Sequence, residues 1–204
     1  YTTALRRSLK PMWKNAEFKF YLFVVLAFTL FIMIELMLYN GYDVEKAFRC
    51  GIFQVVSFIT TTGMFNDDAA KWPHVTWVVL ATCMFLGACS GSTSGGFKSI
   101  RSLMIIKIIR NEFKQILHPN AVLPMHIDGA SISQQKRITL LAFLAVYLML
   151  CLVSSFIIIE AGVDNTNAIT IVLSSIGNVG PTLGIEIGPT MSWSMLPAGI
   201  KWLC

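Results

Sequence analysis

Long apolar runs alternate with short polar breaks along this chain, and the lengths of the runs predict its helices. Residues 20–38 form a run of nineteen with a single charge, Glu35, and residues 138–159 form a run of twenty-two without a charge. At about 1.5 Å per residue in a helix, each run matches a hydrocarbon core about 30 Å thick. The pattern predicts two transmembrane helices, over 20–39 and 138–159.

Each long run is followed by a shorter apolar stretch that begins after an aspartate. Asp43 precedes a stretch at 44–60, and Asp164 precedes another at 165–177. Aspartate is a preferred N-cap residue, and helices of this length are too short to cross a bilayer. The sequence therefore predicts two re-entrant half-helices, which enter the membrane and end inside it.

A polar strand with a central glycine follows each half-helix. The first strand covers 61–64 and the second covers 178–181; their residues are Thr61, Thr62, Gly63 and Met64, and Asn178, Val179, Gly180 and Pro181. The two glycines lie 117 residues apart in the same order of elements. This spacing indicates an internal repeat of one membrane unit.

A glycine- and hydroxyl-rich segment interrupts the apolar stretch that follows the first strand. A returning helix is predicted over 75–116, but its middle contains Ser90, Gly91, Ser92, Thr93, Ser94, Gly95 and Gly96. Irregular backbone at membrane depth is tolerated only where protein or a watery cavity surrounds it. We expect a broken helix whose loop faces an internal pathway.

These elements divide the chain into two units, 20–116 and 138–204, with a loop at 117–137 between them and a polar segment at 1–19 before them. The second unit is expected to be truncated, with 191–204 only starting its returning helix, and the chain is expected to lack its natural start. The predicted fold class is an all-α, polytopic membrane protein built from helix, half-helix, helix units.

Composition and charge agree with this assignment and orient it. The chain is 55% apolar and 13% charged, which disfavours a water-soluble domain. Twelve Lys and Arg residues lie within 1–19 and 98–137, so these segments are expected to be cytoplasmic. The other side is mainly acidic and would attract cations. We therefore expect lipid rather than nucleic acid to account for the net charge of +5.

The half-helices and their glycines favour binding of a dehydrated cation. A half-helix that enters from outside directs its negative C-terminal dipole toward the membrane centre. Gly63 and Gly180 allow successive carbonyls to turn toward one axis. Neither strand contains a carboxylate, so neutral carbonyl ligands and a monovalent ion are predicted rather than Ca²⁺ or Mg²⁺.

The motifs TTTGM at 60–64, GSTSGGFK at 91–98 and NVGP at 178–181 resemble those of the TrkH-type members of the Trk/Ktr/HKT potassium transporter superfamily. The resemblance covers nearly the whole chain and implies repeats three and four of a four-repeat protein. It implies potassium uptake across the bacterial inner membrane through a selectivity filter. Potassium would be the transported and bound species, near Thr61, Thr62, Asn178 and Val179, with no other cofactor.

The same resemblance implies a gate and partners. Residues 90–96, which we name the gate loop, would form an intramembrane gate below the filter. Such subunits pair as homodimers and bind a cytosolic nucleotide-sensing regulatory ring, which would dock on the basic face between Lys98 and Arg137. Lys98 and Arg101 themselves are predicted to be cytoplasmic-edge anchors rather than gate-facing charges.

Two other functions remain open from the residues alone. A secondary solute symporter would use the re-entrant hairpins to bind an organic substrate at the membrane midplane. An intramembrane hydrolase would use the hydroxyls of the gate loop, but the sequence places no His or Asp at a comparable depth. The leading prediction is therefore a transporter and not an enzyme. Trp72, Trp77 and Trp193 are predicted to belong to an interfacial belt.

Overall fold

The computed structural model describes residues 13–118, 125–183, 196 and 199–202. The helices and strands with described bounds are, in chain order, α1 (Ala16–Asn40), α2 (Val44–Ile59), α3 (His74–Leu86), α4 (Ser99–Leu117), β1 (His126–Ile127), β2 (Ala130–Ser131), α5 (Gln134–Glu160) and α6 (Asn165–Gly177). Single 3₁₀ turns cover Ala69–Lys71 and Ile200–Trp202. The described chain is thus mainly helical.

The helices α1 and α5 are long and apolar enough to cross a membrane, judged by length and composition. Both begin about one turn before the apolar runs that predict them, because each first turn is polar and has its own cap. The Asn15 side chain accepts from the Phe18 amide at 3.0 Å, and Ser133 Oγ accepts from the Lys136 amide at 3.5 Å. Hydropathy alone does not detect such a turn.

The half-helices α2 and α6 start directly after the two aspartates. Asp164 caps α6, since its carboxylate accepts from the Thr166 amide at 3.1 Å. Asp43 also has the extended backbone of an N-cap residue, but its side chain makes no capping hydrogen bond. The cap that the sequence predicts is therefore present in α6 and absent in α2.

The first unit packs around α2, which contacts α1 along its length. A Cβ on Gly51 would lie 3.5 Å from the Thr29 carbonyl oxygen, so the two helices approach closely there. The core between α1, α2 and α3 includes the fully buried Leu36, Phe58 and Leu80. Because lipid is as apolar as these side chains, close packing is what stabilises such a core. Val179 and Leu183, from and just after the second strand, join the same core.

Twelve residues, 87–98, separate α3 from α4, and a small hairpin precedes α5. In the hairpin, His126 pairs with Ser131 and Ile127 with Ala130. Its two-residue strands were not predicted within the 117–137 loop, because they are too short to show an alternating pattern. Met125 and Ile127 pack in one cluster with Phe97, the residue that follows the gate loop.

Two tryptophans correct the prediction of an interfacial belt. Trp72 is 3% exposed and Trp77 is 6% exposed. Trp72 Nε1 donates to Asp67 at 3.2 Å, and Trp77 Nε1 donates to the Ala69 carbonyl at 2.8 Å. Both indoles therefore fix the loop after the first strand instead of facing lipid. Trp193 and most of the predicted 191–204 helix lie outside the described residues.

Candidate functional site

The first strand leaves the end of α2 through a tight turn. Thr61 has a left-handed backbone, with φ of 55°, and Gly63 has φ of 71°. This turn brings the Thr62 amide to 2.8 Å from the Ser57 carbonyl oxygen. The Ser57 hydroxyl then donates to the Met64 carbonyl at 2.7 Å. The strand is thus held against the last turn of its own half-helix.

The second strand repeats this turn after α6. Asn178 has φ of 53°, and the Val179 amide donates to the Ser174 carbonyl at 2.9 Å. Ser174 and Asn178 lie 117 residues after Ser57 and Thr61, the spacing that separates the two glycines. The internal repeat seen in the sequence therefore has the same main-chain geometry in both copies.

The two strands are in direct contact. A Cβ on Gly63 would lie 2.2 Å from the Val179 carbonyl oxygen and 2.7 Å from Pro181 Cδ. The Val179 side chain is buried, whereas the side chains of Thr62, Met64 and Asn178 are exposed. The structure thus brings residues 63 and 179–181 together and leaves an open face beside them.

The main-chain oxygens of residues 61–63 and 178–180 in these strands are unpaired within the described part of the chain. The carbonyls of 61–63 and 178–180 accept no hydrogen bond from any described residue. The C-terminal ends of α2 and α6 add their negative dipole ends at the same place. The described residues also contain no cluster of His, Cys, Asp or Glu able to hold a metal ion. The arrangement offers neutral oxygens, which suit a dehydrated monovalent cation.

The gate loop reaches the start of both strands, where the half-helices end. The Gly95 amide donates to Thr61 Oγ1 at 3.1 Å. A Cβ on Gly95 would lie 1.9 Å from the Gly177 carbonyl oxygen, so only glycine fits between the loop and the end of α6. Thr61 and Gly177 lie where the half-helices end. Gly95 therefore lies beside the start of both strands.

Lys98 corrects a prediction, because it faces the gate loop rather than the cytoplasmic edge. Its ammonium donates to the Ser92 carbonyl at 2.8 Å, to the Ser94 carbonyl, and to Ser94 Oγ at 3.3 Å. The sequence favoured an anchor because a free positive charge would repel a permeating ion. The loop's own oxygens surround this charge instead. Arg101 lies 4.2 Å above the Phe143 ring on α5.

Sequence reasoning missed the contact between Glu17 and the gate loop. It lies in the first turn of α1 and is 8% exposed. Its carboxylate accepts from the Ser90 amide and, at 2.9 Å, from Ser90 Oγ. Seventy-three residues separate the partners, and no local pattern connects them. The sequence analysis weighed only His and Asp as partners for the gate-loop hydroxyls and so did not identify Glu17.

The Asp67 carboxylate fixes the loop that follows the first strand. Asp67 accepts from the Tyr42 hydroxyl at 2.9 Å, from Trp72 Nε1 and from the Asp68 amide. Burial opposes ionisation of Asp67, but these hydrogen bonds outweigh it and lower the pKa of its carboxyl group. Burial and the hydrogen bond to Asp67 raise the pKa of Tyr42 to about 12.

Asp67→Asn is expected to destabilise the protein by on the order of 1 kcal/mol at neutral pH, because it replaces charge-assisted hydrogen bonds with neutral ones. A lowered folded-state pKa stabilises the fold above the ordinary value of 3.8, and this contribution is lost as pH falls through the lowered pKa. Thermal unfolding of both proteins in detergent measures the difference in stability between the variant and the unmodified protein. This difference should be smaller at pH 3 than at pH 7.

Glu112→Gln is the matched control, since Glu112 is exposed on α4 and the change also replaces a carboxylate with an amide. An equal loss of stability in both variants would contradict the role given to Asp67. So would a loss of stability in Asp67→Asn that does not depend on pH.

Known proteins match this chain along most of its length. A family model described as TrkH, Cation transport protein, matches residues 12–195. The Trk system potassium uptake protein TrkH of Escherichia coli (strain K12) is 34% identical, over 93% of this chain and 41% of that protein. The corresponding protein of Salmonella typhimurium is 33% identical over the same shares.

A solved structure agrees with these sequence matches. The crystal structure of the potassium transporter TrkH from Vibrio parahaemolyticus has a TM-score of 0.85 and 30% identity, over 94% of this chain and 40% of that one. The match confirms the predicted all-α, polytopic membrane fold. The chain spans about two fifths of the length of the relatives it matches.

Proposed function

We propose, because the chain belongs to the TrkH family of cation transport proteins, that it forms part of a potassium uptake pathway in the bacterial inner membrane. The carbonyls around Thr61, Thr62 and Gly63, and around Asn178, Val179 and Gly180, replace the hydration shell of K⁺ in a selectivity filter. Met64 and Pro181 complete the two filter strands. The two strands supply two quarters of the filter, and potassium is the transported species.

One observation carries the proposal: two half-helices end at the same point, and their strands meet with unpaired main-chain oxygens. The Gly63 backbone contacts the Val179 carbonyl, and the turn at Thr61 is repeated at Asn178. A site for an anion or an organic acid would need donors there, whereas these strands present acceptors. The helix dipoles have the sign that favours a cation.

The gate loop would close the inner end of this filter. Gly95 lies between Thr61 and the end of α6, where both strands begin. Glu17 holds the loop at Ser90, and the Lys98 ammonium holds it at Ser92 and Ser94. Ion flow then requires the segment 90–96 to move away from Thr61 and Gly177, with no covalent step.

Two partners belong to the same proposal. A second copy of the subunit forms a homodimer, and a cytosolic nucleotide-binding ring docks on the basic face between Lys98 and Arg137. In support, Arg110 and Lys114 are exposed on α4, near the cytoplasmic end assigned by the distribution of positive charge.

The competing functions have less support. A symporter for an organic solute needs a charged group at the substrate site, and no described Asp, Glu, Lys or Arg side chain hydrogen-bonds to either strand. For a hydrolase, the structure places the Glu17 carboxylate beside the Ser90 hydroxyl. Membership of a transport family nevertheless establishes that the chain is not an enzyme.

Potassium uptake in a bacterium stripped of its own potassium systems tests the proposal. The full gene product that contains this chain is expected to restore growth at low K⁺. The 204 residues expressed alone are not expected to do so, because two strands enclose half of a filter. Transport of an organic solute without K⁺ flux in vesicles of the full gene product would contradict the proposal and favour the symporter.

A further inference from the structure

Glu17 combines three features that a surface carboxylate lacks. It is 8% exposed, it lies in the first turn of α1, and its two oxygens both accept from Ser90. The first turn is the positive end of the helix dipole, which stabilises an ionised carboxylate. A buried carboxylate needs such hydrogen bonds to offset its desolvation. The gate loop provides these bonds, so its position and the burial of Glu17 depend on each other.

The neighbouring residue connects the same helix end to the hairpin. The Ala16 amide donates to Asp128 Oδ1 at 2.9 Å across 112 residues of sequence. Asp128 lies in the turn between β1 and β2, with φ of 49°. The hairpin is also tied to α4, because the Lys107 ammonium donates to the His126 carbonyl at 2.9 Å. Helix α1 thus begins between the gate loop and the hairpin.

The other end of the gate loop contacts the filter strands. Gly95 donates to Thr61 Oγ1 and lies against the Gly177 carbonyl. A continuous series of contacts therefore runs from Asp128 through Ala16 and Glu17 to Ser90, and through the loop to Thr61. Each contact joins segments that are far apart in sequence.

We propose that Glu17 is a positioning residue that keeps the gate loop at the inner mouth of the filter, where α2 and α6 end. We also propose that the Ala16–Asp128 hydrogen bond couples the contact between Glu17 and Ser90 to the cytoplasmic hairpin. The inference rests on the proposed function, since it gives residues 90–96 the role of a gate. When a partner on the cytoplasmic side displaces the hairpin, the start of α1 shifts and the hydrogen bonds between Ser90 and Glu17 weaken. The hairpin is the element through which regulation reaches the filter.

Glu17→Gln in the full gene product tests the first step. Glutamine keeps the size of the side chain and one acceptor but removes the charge. Loss of charge-assisted bonds is expected to raise basal K⁺ flux about tenfold, with the K⁺ to Na⁺ flux ratio unchanged. Ser90→Ala removes only the hydroxyl partner and should raise flux less. Flux is measured in vesicles and normalised to the amount of protein in the membrane.

Glu35→Gln is the matched control, because Glu35 lies near the other end of α1 and hydrogen-bonds to no described residue. It should leave flux unchanged. If Glu17→Gln and Ser90→Ala both retain the flux of the unmodified protein, the inference is wrong. A fall in both flux and K⁺ preference would also overturn it, since Glu17 would then support the filter itself.

Asp128 tests the link to the hairpin. Asp128→Ala removes the acceptor for the Ala16 amide and should raise basal flux about threefold, whereas Asp128→Asn keeps an acceptor oxygen and should not. Because Asp128 acts through Glu17, Asp128→Ala should add nothing in the Glu17→Ala background. Additive effects of the two changes would refute the link.

The outcomes also separate this inference from the proposed function. If the unmodified gene product carries K⁺ flux and the Glu17 and Asp128 variants behave as it does, the filter stands and only the positioning role is lost. If the unmodified gene product carries no K⁺ flux, the proposed function fails, and the inference fails with it.

Discussion

Gly63→Ala in the full gene product is expected to reduce the preference for K⁺ over Na⁺ by about tenfold or more. A methyl group at this position would lie 2.2 Å from the Val179 carbonyl oxygen, which is a proposed ion ligand in the facing strand. Gly63 also has φ of 71°, where a side chain costs about 1–2 kcal/mol. The strands must separate, and a change of about 1.4 kcal/mol in relative ion binding alters the preference tenfold. Flux ratios in K⁺ and Na⁺ measure the effect.

Gly41→Ala separates the steric contact from backbone strain. Gly41 has a similar φ of 64°, but a Cβ there would meet nothing within 4 Å. It lies at the end of α1, away from both strands, so its variant should lose some stability and keep its ion preference. Retention of K⁺ preference in Gly63→Ala, or an equal loss in Gly41→Ala, would show that the contact between the strands does not set selectivity.

The strands could be located from sequence because their signals are local. An aspartate, a short apolar stretch and a glycine occur twice in the same order, and helix α6 spans the residues that this pattern predicts. Thr61 and Asn178 also lie at equivalent places in the repeat, so their shared left-handed backbone follows from the 117-residue spacing. Only the contact between Gly63 and Val179 could not be predicted from the sequence and required the structure.

The residues that hold the gate loop could not be predicted, since their partners are distant in sequence. Glu17 and Ser90 are 73 residues apart, and Ala16 and Asp128 are 112 residues apart. When charged residues are counted by side of the membrane, Glu17 is another acidic residue on the cytoplasmic side. Its neighbours in the sequence do not distinguish it from the others. Lys98 was misassigned for a related reason: charge counting gives the side of the membrane but not the direction of a side chain.

Gly95→Ala is expected to have the opposite effect to Gly63→Ala, raising K⁺ flux about tenfold while K⁺ preference is kept. An added Cβ would lie 1.9 Å from the Gly177 carbonyl oxygen, which belongs to main chain that cannot rotate away. Gly95 has no left-handed backbone, so the effect is steric. The loop must leave the inner mouth and lose its hydrogen bond to Thr61 Oγ1, and a shift of about 1.4 kcal/mol toward the open position is tenfold in population.

Gly91→Ala is the matched control within the same loop, because a Cβ at Gly91 would meet nothing within 4 Å. It makes the same chemical change a few residues away and should leave flux and ion preference as they were. The contact of Gly95 with Gly177 and Thr61 is what distinguishes the two positions. If Gly95→Ala conducts like Gly91→Ala, the loop does not obstruct the pathway at this point. If it loses K⁺ preference as Gly63→Ala does, then Gly95 supports the strands rather than closing them, and the gate must lie elsewhere in the loop.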